Sequence, residues 1–408
     1  MSATASQSPT AARSVVAALL PIMAAVFVAF LVTGLAMPVL PLHVHEGLGL
    51  GTFVVGLVAG CQFTAALLSR FWSGSYADRR GGKRAVVAGL LLAVAAGLLY
   101  WLSLRFVGAP VTSATILLAG RAVLGGAESF IITGALSWGL ALAGPENTGK
   151  VMAWVGTAMY VAFAIGAPSG SALYAAYGFA AIAFATTLIP LATLLLVLPQ
   201  RAVAPLAQAR RPSFTRVVGA VWAPGVGLAF SSIGFGAVTT FVVLLFAQRG
   251  WGLAWLALTV FATAFVVARV LFAHLADRIG GAKVALFSAL IEAVGLALIW
   301  LAPWSALALL GAIVTGFGYS LVYPGFGVEA VRRAPTESRG LAMGAYTAFL
   351  DLALGLGNPA LGLVAGGFGL GAVFLASALV VMCSAAVAVR LLNARHVEHA
   401  SALVISTS

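Results

Sequence analysis

Polar positions along this chain are sparse and clustered. The stretches between them stay apolar for roughly 20 residues or more, the length that crosses a bilayer as a helix. Such runs cover residues 15–42, closed by His43, His45 and Glu46, then 47–69, ending at Arg70, and then 85–104. The run 111–141 is interrupted by Arg121 and Glu128. Residues 151–200 hold no charge and exceed one crossing, so they are expected to fold back near Tyr177 and Gly178. A polar stretch follows at 201–216, with Pro205, Arg210, Arg211 and Pro212. Beyond it lie runs at 217–248, 250–273, 284–302, 305–327, 341–366 and 372–390. The runs are continuous instead of alternating every second residue, which excludes a β-barrel. A helix satisfies its backbone hydrogen bonds within itself, which the membrane interior demands. The pattern predicts an all-α polytopic membrane protein with twelve spans. Residues 1–200 form one six-helix bundle, 201–216 a linker, and 217–408 a second bundle.

Composition excludes the soluble alternatives. Hydrophobic residues make up 62% and charged residues 8%, with a mean hydropathy of +1.09. A soluble domain carries about a quarter charged residues. The net charge of +12 is not a nucleic-acid footprint. With the N-terminus inside, all but Arg105, Arg121 and Arg249 of the 22 basic residues fall in cytoplasmic loops or helix ends, as the positive-inside rule requires. Both termini are therefore expected in the cytoplasm. Met1 to Arg13 reads as a polar leader, and the apolar run after it is too long for the core of a cleaved signal. Cys61 and Cys383 sit inside apolar stretches and read as small buried hydrophobes, with no disulfide or metal framework. His43-x-His45 with Glu46 reads as a wet interfacial cluster. Side chains two apart do not share a helix face, so no metal site is expected. No phosphate-cradling loop, nucleophile elbow or cofactor motif is present, so no enzyme activity and no cofactor are expected.

The two halves repeat. The stretch 69–84 recurs at 268–283, with Arg70 on Arg269, Ala77-Asp78-Arg79 on Ala276-Asp277-Arg278 and Gly81-Gly82 on Gly280-Gly281 at one offset. At a slightly different offset, Glu146, Gly149 and Met152 match Glu337, Gly340 and Met343. The second offset pairs Gly166 with Gly357, Pro168 with Pro359 and Tyr160 with Asp351. Six spans apart, both copies keep the same side, so the repeat is parallel, about an axis along the membrane normal.

The segment Gly74-x-x-x-Asp78-Arg79-x-Gly81-Gly82-Lys83-Arg84 resembles the signature loop of the major facilitator superfamily, with a degenerate copy at Asp277-Arg278. Arg121-x-x-x-Gly125-Gly126 resembles that superfamily's second motif, with Leu124 where many members have Gln. Gly166-Ala167-Pro168-Ser169-Gly170 resembles, incompletely, the Gly-Pro element of its exporter branch. The runs Gly125-Gly126-Ala127-Glu128-Ser129 and Leu136-Ser137-Trp138-Gly139 are similar to a bacterial inner-membrane subgroup of YhhS-like, mostly uncharacterised, transporters. The resemblance implies a latch of Gly74, Asp78, Arg79, Gly81, Lys83 and Arg84, with Asp277 and Arg278, closed when the cavity opens outward and broken when it opens inward. The glycines let the loop turn sharply. Asp78 can bond the N-terminal amides of a neighbouring helix, and Arg79, Lys83 and Arg84 can hold carboxylates or lipid phosphates. The competing reading is a solvated positive loop.

Charges at membrane depth are functional candidates by default. Arg121 and Glu128, seven residues apart, share one helix face about 10 Å apart. Arg121 is expected to anchor an anionic or hydrogen-bonding group of the substrate, and Glu128 to take up and release a proton. Asp351 in the eleventh span shares or replaces that role. A structural polar role competes with each. Glu292 is the least promising acid, because the ninth span would be peripheral. Trp138, Tyr160, Tyr323 and Tyr346 are candidate substrate contacts, against packing or interface anchoring. Pro38, Pro41, Pro168 and Pro359 are expected to bend spans. The resulting expectation is a monomeric secondary transporter of the bacterial inner membrane, moving a small solute by alternating access. Proton-coupled export of a drug or sugar-like molecule leads over an uptake symporter or facilitator, and over a membrane sensor. The partners are the solute, protons and membrane lipids, without nucleic acid.

Overall fold

The computed structural model describes residues 9–144, 148–203, 214–252, 254–272, 274–334 and 339–406. They form α1 (Pro9–Ala36), α2 (Leu40–Leu42), a π-helical turn at His43–Gly47, α3 (Thr52–Arg80), α4 (Gly82–Leu104), α5 (Pro110–Ala143), α6 (Thr148–Tyr177) and α7 (Phe179–Val197). The second half forms α8 (Phe214–Gln248), α9 (Ala254–Phe272), α10 (Leu275–Ile279), α11 (Gly281–Leu301), α12 (Ser305–Arg333), α13 (Arg339–Phe368) and α14 (Leu370–Ser406). Among the described residues, eleven helices are long and apolar enough to cross a membrane. The 30-residue α6 brings the long helices to the twelve read from the sequence. The uncharged stretch folds back where expected: α6 ends at Tyr177, and Gly178 takes φ +69° before α7 begins.

The signature segment is not a loop. α3 continues as helix through Asp78, Arg79 and Arg80, and the chain breaks only at Gly81, with φ +91°. A side chain there would be strained, so this glycine is required. Gly280 repeats the break at φ +97°. Pro38 falls in the turn between α1 and α2, whereas α6 and α13 run through Pro168 and Pro359 as helix.

The chain groups into two compact units, Met1–Ala36 with Ala65–Gln208 and Met37–Thr64 with Ala209–Ser408. Residues 37–64 thus pack with the second half, which the sequence boundary at residue 200 does not anticipate. The contacts explain it. Thr52 Oγ1 donates to the Gly362 carbonyl at 2.8 Å, and a Cβ at Gly60 would stand 2.7 Å from the Gly355 carbonyl. Residues 204–213 of the linker and the matched Glu146 and Glu337 lie outside the described residues.

Within each unit, small residues let helices meet backbone to backbone, the packing on which helix association in lipid depends. In the first unit a Cβ at Gly82 would lie 2.6 Å from the Gly134 carbonyl, and one at Gly166 2.9 Å from Gly34 Cα. These contacts join α4 to α5 and α6 to α1 around a core that includes Leu90, Ile131 and Trp138. In the second unit Gly281 meets Gly325 in the same way, joining α11 to α12 beside a core with Val322, Phe326 and Tyr346. Gly82 and Gly134 fall on Gly281 and Gly325 at the two sequence offsets, so the repeat is a repeat of helix contacts. Among those eleven helices α8 is the most enclosed, with 78% of its most apolar window buried, and α9 the least, with 28%.

Candidate functional site

In the first unit α5 carries the intramembrane charges. Arg121 is buried to 5% exposure, and Glu128, two turns on, is half-buried. A Cβ at Gly126 would meet nothing within 4 Å, but Gly126, two residues before Glu128, lies on a different face of α5 from the pair. The neighbouring turn is fixed to α3: the Ser73 and Ser129 hydroxyls lie 3.0 Å apart, Ser73 and Thr133 3.3 Å, and Tyr76 packs on Phe130. This polar seam holds the Glu128 turn in place.

Other assignments from the sequence are redirected. Trp138 is a core residue at 2% exposure whose indole N–H donates to the Arg201 carbonyl at 3.2 Å. Its surface is spent on packing α4 and α5, so it does not line a cavity here. Lys83 is in no ion pair with a carboxylate among the described residues. Its ammonium donates to the Leu198 and Gln200 carbonyls at 2.6 and 2.5 Å, neutralising the negative end of α7. Arg79 and Arg84 are exposed and Asp78 is half-buried. A Cβ at Gly74 meets nothing within 4 Å, so local packing does not require that glycine. The side chain of Tyr160 lies outside the described residues.

In the second unit the degenerate latch residues and the helix cap are different groups. Asp277 and Arg278 are exposed on the short α10. The acid that caps the following helix is Glu329, from the end of α12. It is fully buried, and its Oε1 accepts the Ala282 N–H at 3.1 Å. Its Oε2 faces Arg332 and Arg333, each at 3.3 Å. The sequence reading ended that span at residue 327 and missed Glu329. An acid followed three and four residues later by arginines, spaced as helix neighbours, was the available signal. By the repeat offset Glu329 stands where the first unit has Trp138.

Asp351 is buried on α13 at 3% exposure. Tyr346 is wholly buried and donates its hydroxyl to the Tyr323 carbonyl at 2.8 Å, which makes it a structural residue and not a free contact. Tyr323 is half-buried, with its hydroxyl 3.0 Å from that of Thr347. Arg269 lies 5.8 Å from the Tyr323 ring centroid and donates to the Ser320 carbonyl at 2.8 Å. A cation over a tyrosine face is held by the ring quadrupole. Glu292, discounted on the sequence because of its helix, is fully buried. A peripheral helix still has an inward face.

Sequence and structure comparisons agree with this architecture. The family model of the Major Facilitator Superfamily matches residues 22–261 and again 225–403. An uncharacterised MFS-type transporter of Salmonella typhimurium is 44% identical over 375 residues, covering 92% of this chain and 96% of its own length. A second, from Burkholderia pseudomallei, is 42% identical over 387 residues, covering 93% and 94%. Among solved structures, a bacterial homologue of the human lysosomal transporter Spinster, inward-facing and unoccupied, superposes with a TM-score of 0.73. It is 14% identical and covers 96% of this chain and 98% of its own.

Proposed function

Because this chain belongs to the major facilitator superfamily, a family of multi-pass membrane transporters and not enzymes, we propose that it is a proton-coupled exporter of a small solute. It works by alternating access in the bacterial inner membrane, as a monomer with both termini in the cytoplasm. The observation that carries the reading is the buried Arg121 on α5, with half-buried Glu128 on the same face. A guanidinium at membrane depth is costly unless it is used, and its fixed fork of donors suits an anionic or multiply hydroxylated group. Glu128 takes the proton, and Asp351 serves the second half in the same way. Charge uptake at Glu128 alters the field at Arg121, so proton and solute compete for one region. Tyr323 offers a half-exposed ring and hydroxyl in the second unit.

Export is supported by the element at 166–170. Gly166 and Gly170 let α6 lie directly on α1 at Gly34 and Leu35. Drugs and sugar-like molecules are the proposed solutes. The latch residues Asp78, Arg79 and Arg84, at the end of α3 and the start of α4, act on the cytoplasmic side, where the basic residues cluster.

The test is a solute panel in everted vesicles, with and without a proton gradient. Gradient-driven accumulation that falls in Arg121→Gln and Glu128→Gln is expected. Equilibration indifferent to the gradient would make the protein a facilitator, and accumulation only in right-side-out vesicles an uptake symporter.

A further inference from the structure

One acid in the second unit has no part in this scheme. Glu292 lies midway along α11 at 0% exposure. Its Oε2 accepts the hydroxyl hydrogen of Ser231 on α8, while its Oε1 has no hydrogen-bond partner among the described residues. Glycines shape the niche around it. A Cβ at Gly318 on α12 would stand 2.5 Å from the Glu292 backbone nitrogen, and one at Gly234 on α8 would strike Oε1. Leu296, one turn along α11, and Val381 on α14 border the same point.

The groups around the carboxyl are therefore Ser231 and Gly234 from α8, Leu296 from α11 and Val381 from α14, while Gly318 of α12 packs on the Glu292 backbone. On α12 the titratable residue beside Gly318 is Tyr319. No Lys, Arg or His lies within ion-pair distance of Glu292 among the described residues. The niche is too poor in oxygens to coordinate a metal ion, and no acid or histidine cluster exists there among the described residues. The ligand that one carboxyl and one hydroxyl can take in such a place is a proton.

We propose that Glu292 is an exchangeable proton site of the second unit. Its Oε1 takes a proton from water and returns it, while Ser231 holds Oε2. The neighbouring serine gives the site leverage. Ser232 on α8 stands 3.3 Å from the Tyr319 hydroxyl, and Tyr319 stacks on Phe235 at 5.0 Å. Two consecutive serines thus tie α8 to α11 through Glu292 and to α12 through Tyr319. At the repeat offset Tyr319 occupies the place that Glu128 holds in the first unit. Loss of the proton puts an uncompensated charge between α8 and α11, which favours an arrangement that admits water. Occupancy of Glu292 therefore biases how α8 packs. Proton binding here depends neither on transport direction nor on Glu128 or Asp351.

The experiment follows the carbonyl-stretch band of protonated carboxyl groups by infrared difference spectroscopy. The full chain is reconstituted in lipid, and buffer is stepped from mildly acidic to mildly alkaline. The background variant is Glu128→Gln with Asp351→Asn. A band that is lost reversibly at alkaline pH, is absent when Glu292→Gln is added, and shifts in frequency in Ser231→Ala supports the proposal. A titrating band unaffected by Glu292→Gln overturns it, as does a Glu292 band that never changes with pH, which marks a fixed structural acid. Ser231→Ala keeps the acid, so the band shift remains readable even if Glu292→Gln misfolds. Failure here leaves the vesicle result for Glu128 untouched, and the reverse also holds.

Discussion

Removing the carboxyl of Glu329 is expected to loosen the start of α11 specifically. In Glu329→Ala the Ala282 N–H, which the carboxylate accepts at 3.1 Å, is left without its acceptor inside the protein, at about 1–3 kcal/mol. Loss of a negative charge from a helix N-terminus adds about 0.3–1 kcal/mol. The two arginine contacts add little, since Arg332 and Arg333 are 48% and 27% exposed in their side chains and water screens them. The total is about 1–4 kcal/mol. Glu329→Gln keeps an acceptor of the same shape and loses only the charge, so about 1 kcal/mol is expected. Asp277→Asn, on the exposed acid, is expected within about 0.5 kcal/mol of wild type. The assay is hydrogen exchange at the first turn of α11 alongside thermal unfolding of the purified protein. Faster exchange confined to that turn, in the order Ala, then Gln, then wild type, is the expected result. Equal protection in all three, or a larger effect from Asp277→Asn, would refute the assignment of Glu329 as the cap.

Gly318→Ala and Gly126→Ala should differ sharply. The first places a methyl 2.5 Å from a backbone nitrogen and is expected to cost about 1–3 kcal/mol, whereas the second meets open space and should leave the melting temperature unchanged. Lys83→Met removes two bonds to the end of α7 and is expected to lower stability by about 1–2 kcal/mol without abolishing transport, read by unfolding and by vesicle uptake together. Asp78→Asn is expected to reduce transport severalfold at normal membrane insertion, measured by surface quantification beside flux; full flux would remove Asp78 from the latch.

The helices were legible in the sequence because lipid imposes one rule on every span: an apolar run of the right length must be a helix. That rule located the return near Tyr177 and Gly178, where the φ of Gly178 is positive. It misjudged what lies at the ends of runs, because a hydropathy pattern weakens there. Glu329 was lost just past the end of the run drawn at residue 327, and the segment through Asp78 was taken for a loop although its backbone continues as helix. Trp138 and Tyr346 show a second limit. An aromatic residue in an apolar run gives no sign of whether its face meets a cavity or a neighbouring helix.

By itself the sequence determined the fold class, the long apolar helices, the internal repeat and the placing of Arg121, Glu128 and Asp351 within those helices. These follow from composition and from spacing along one dimension. Only the tertiary structure decided that Lys83 holds the end of α7, that Glu329 caps α11, that residues 37–64 pack with the second half, and that Glu292 sits against Ser231. Each of these joins residues far apart in the chain, and the joining depends on glycines that let two backbones touch. Contact of that kind has no period to read.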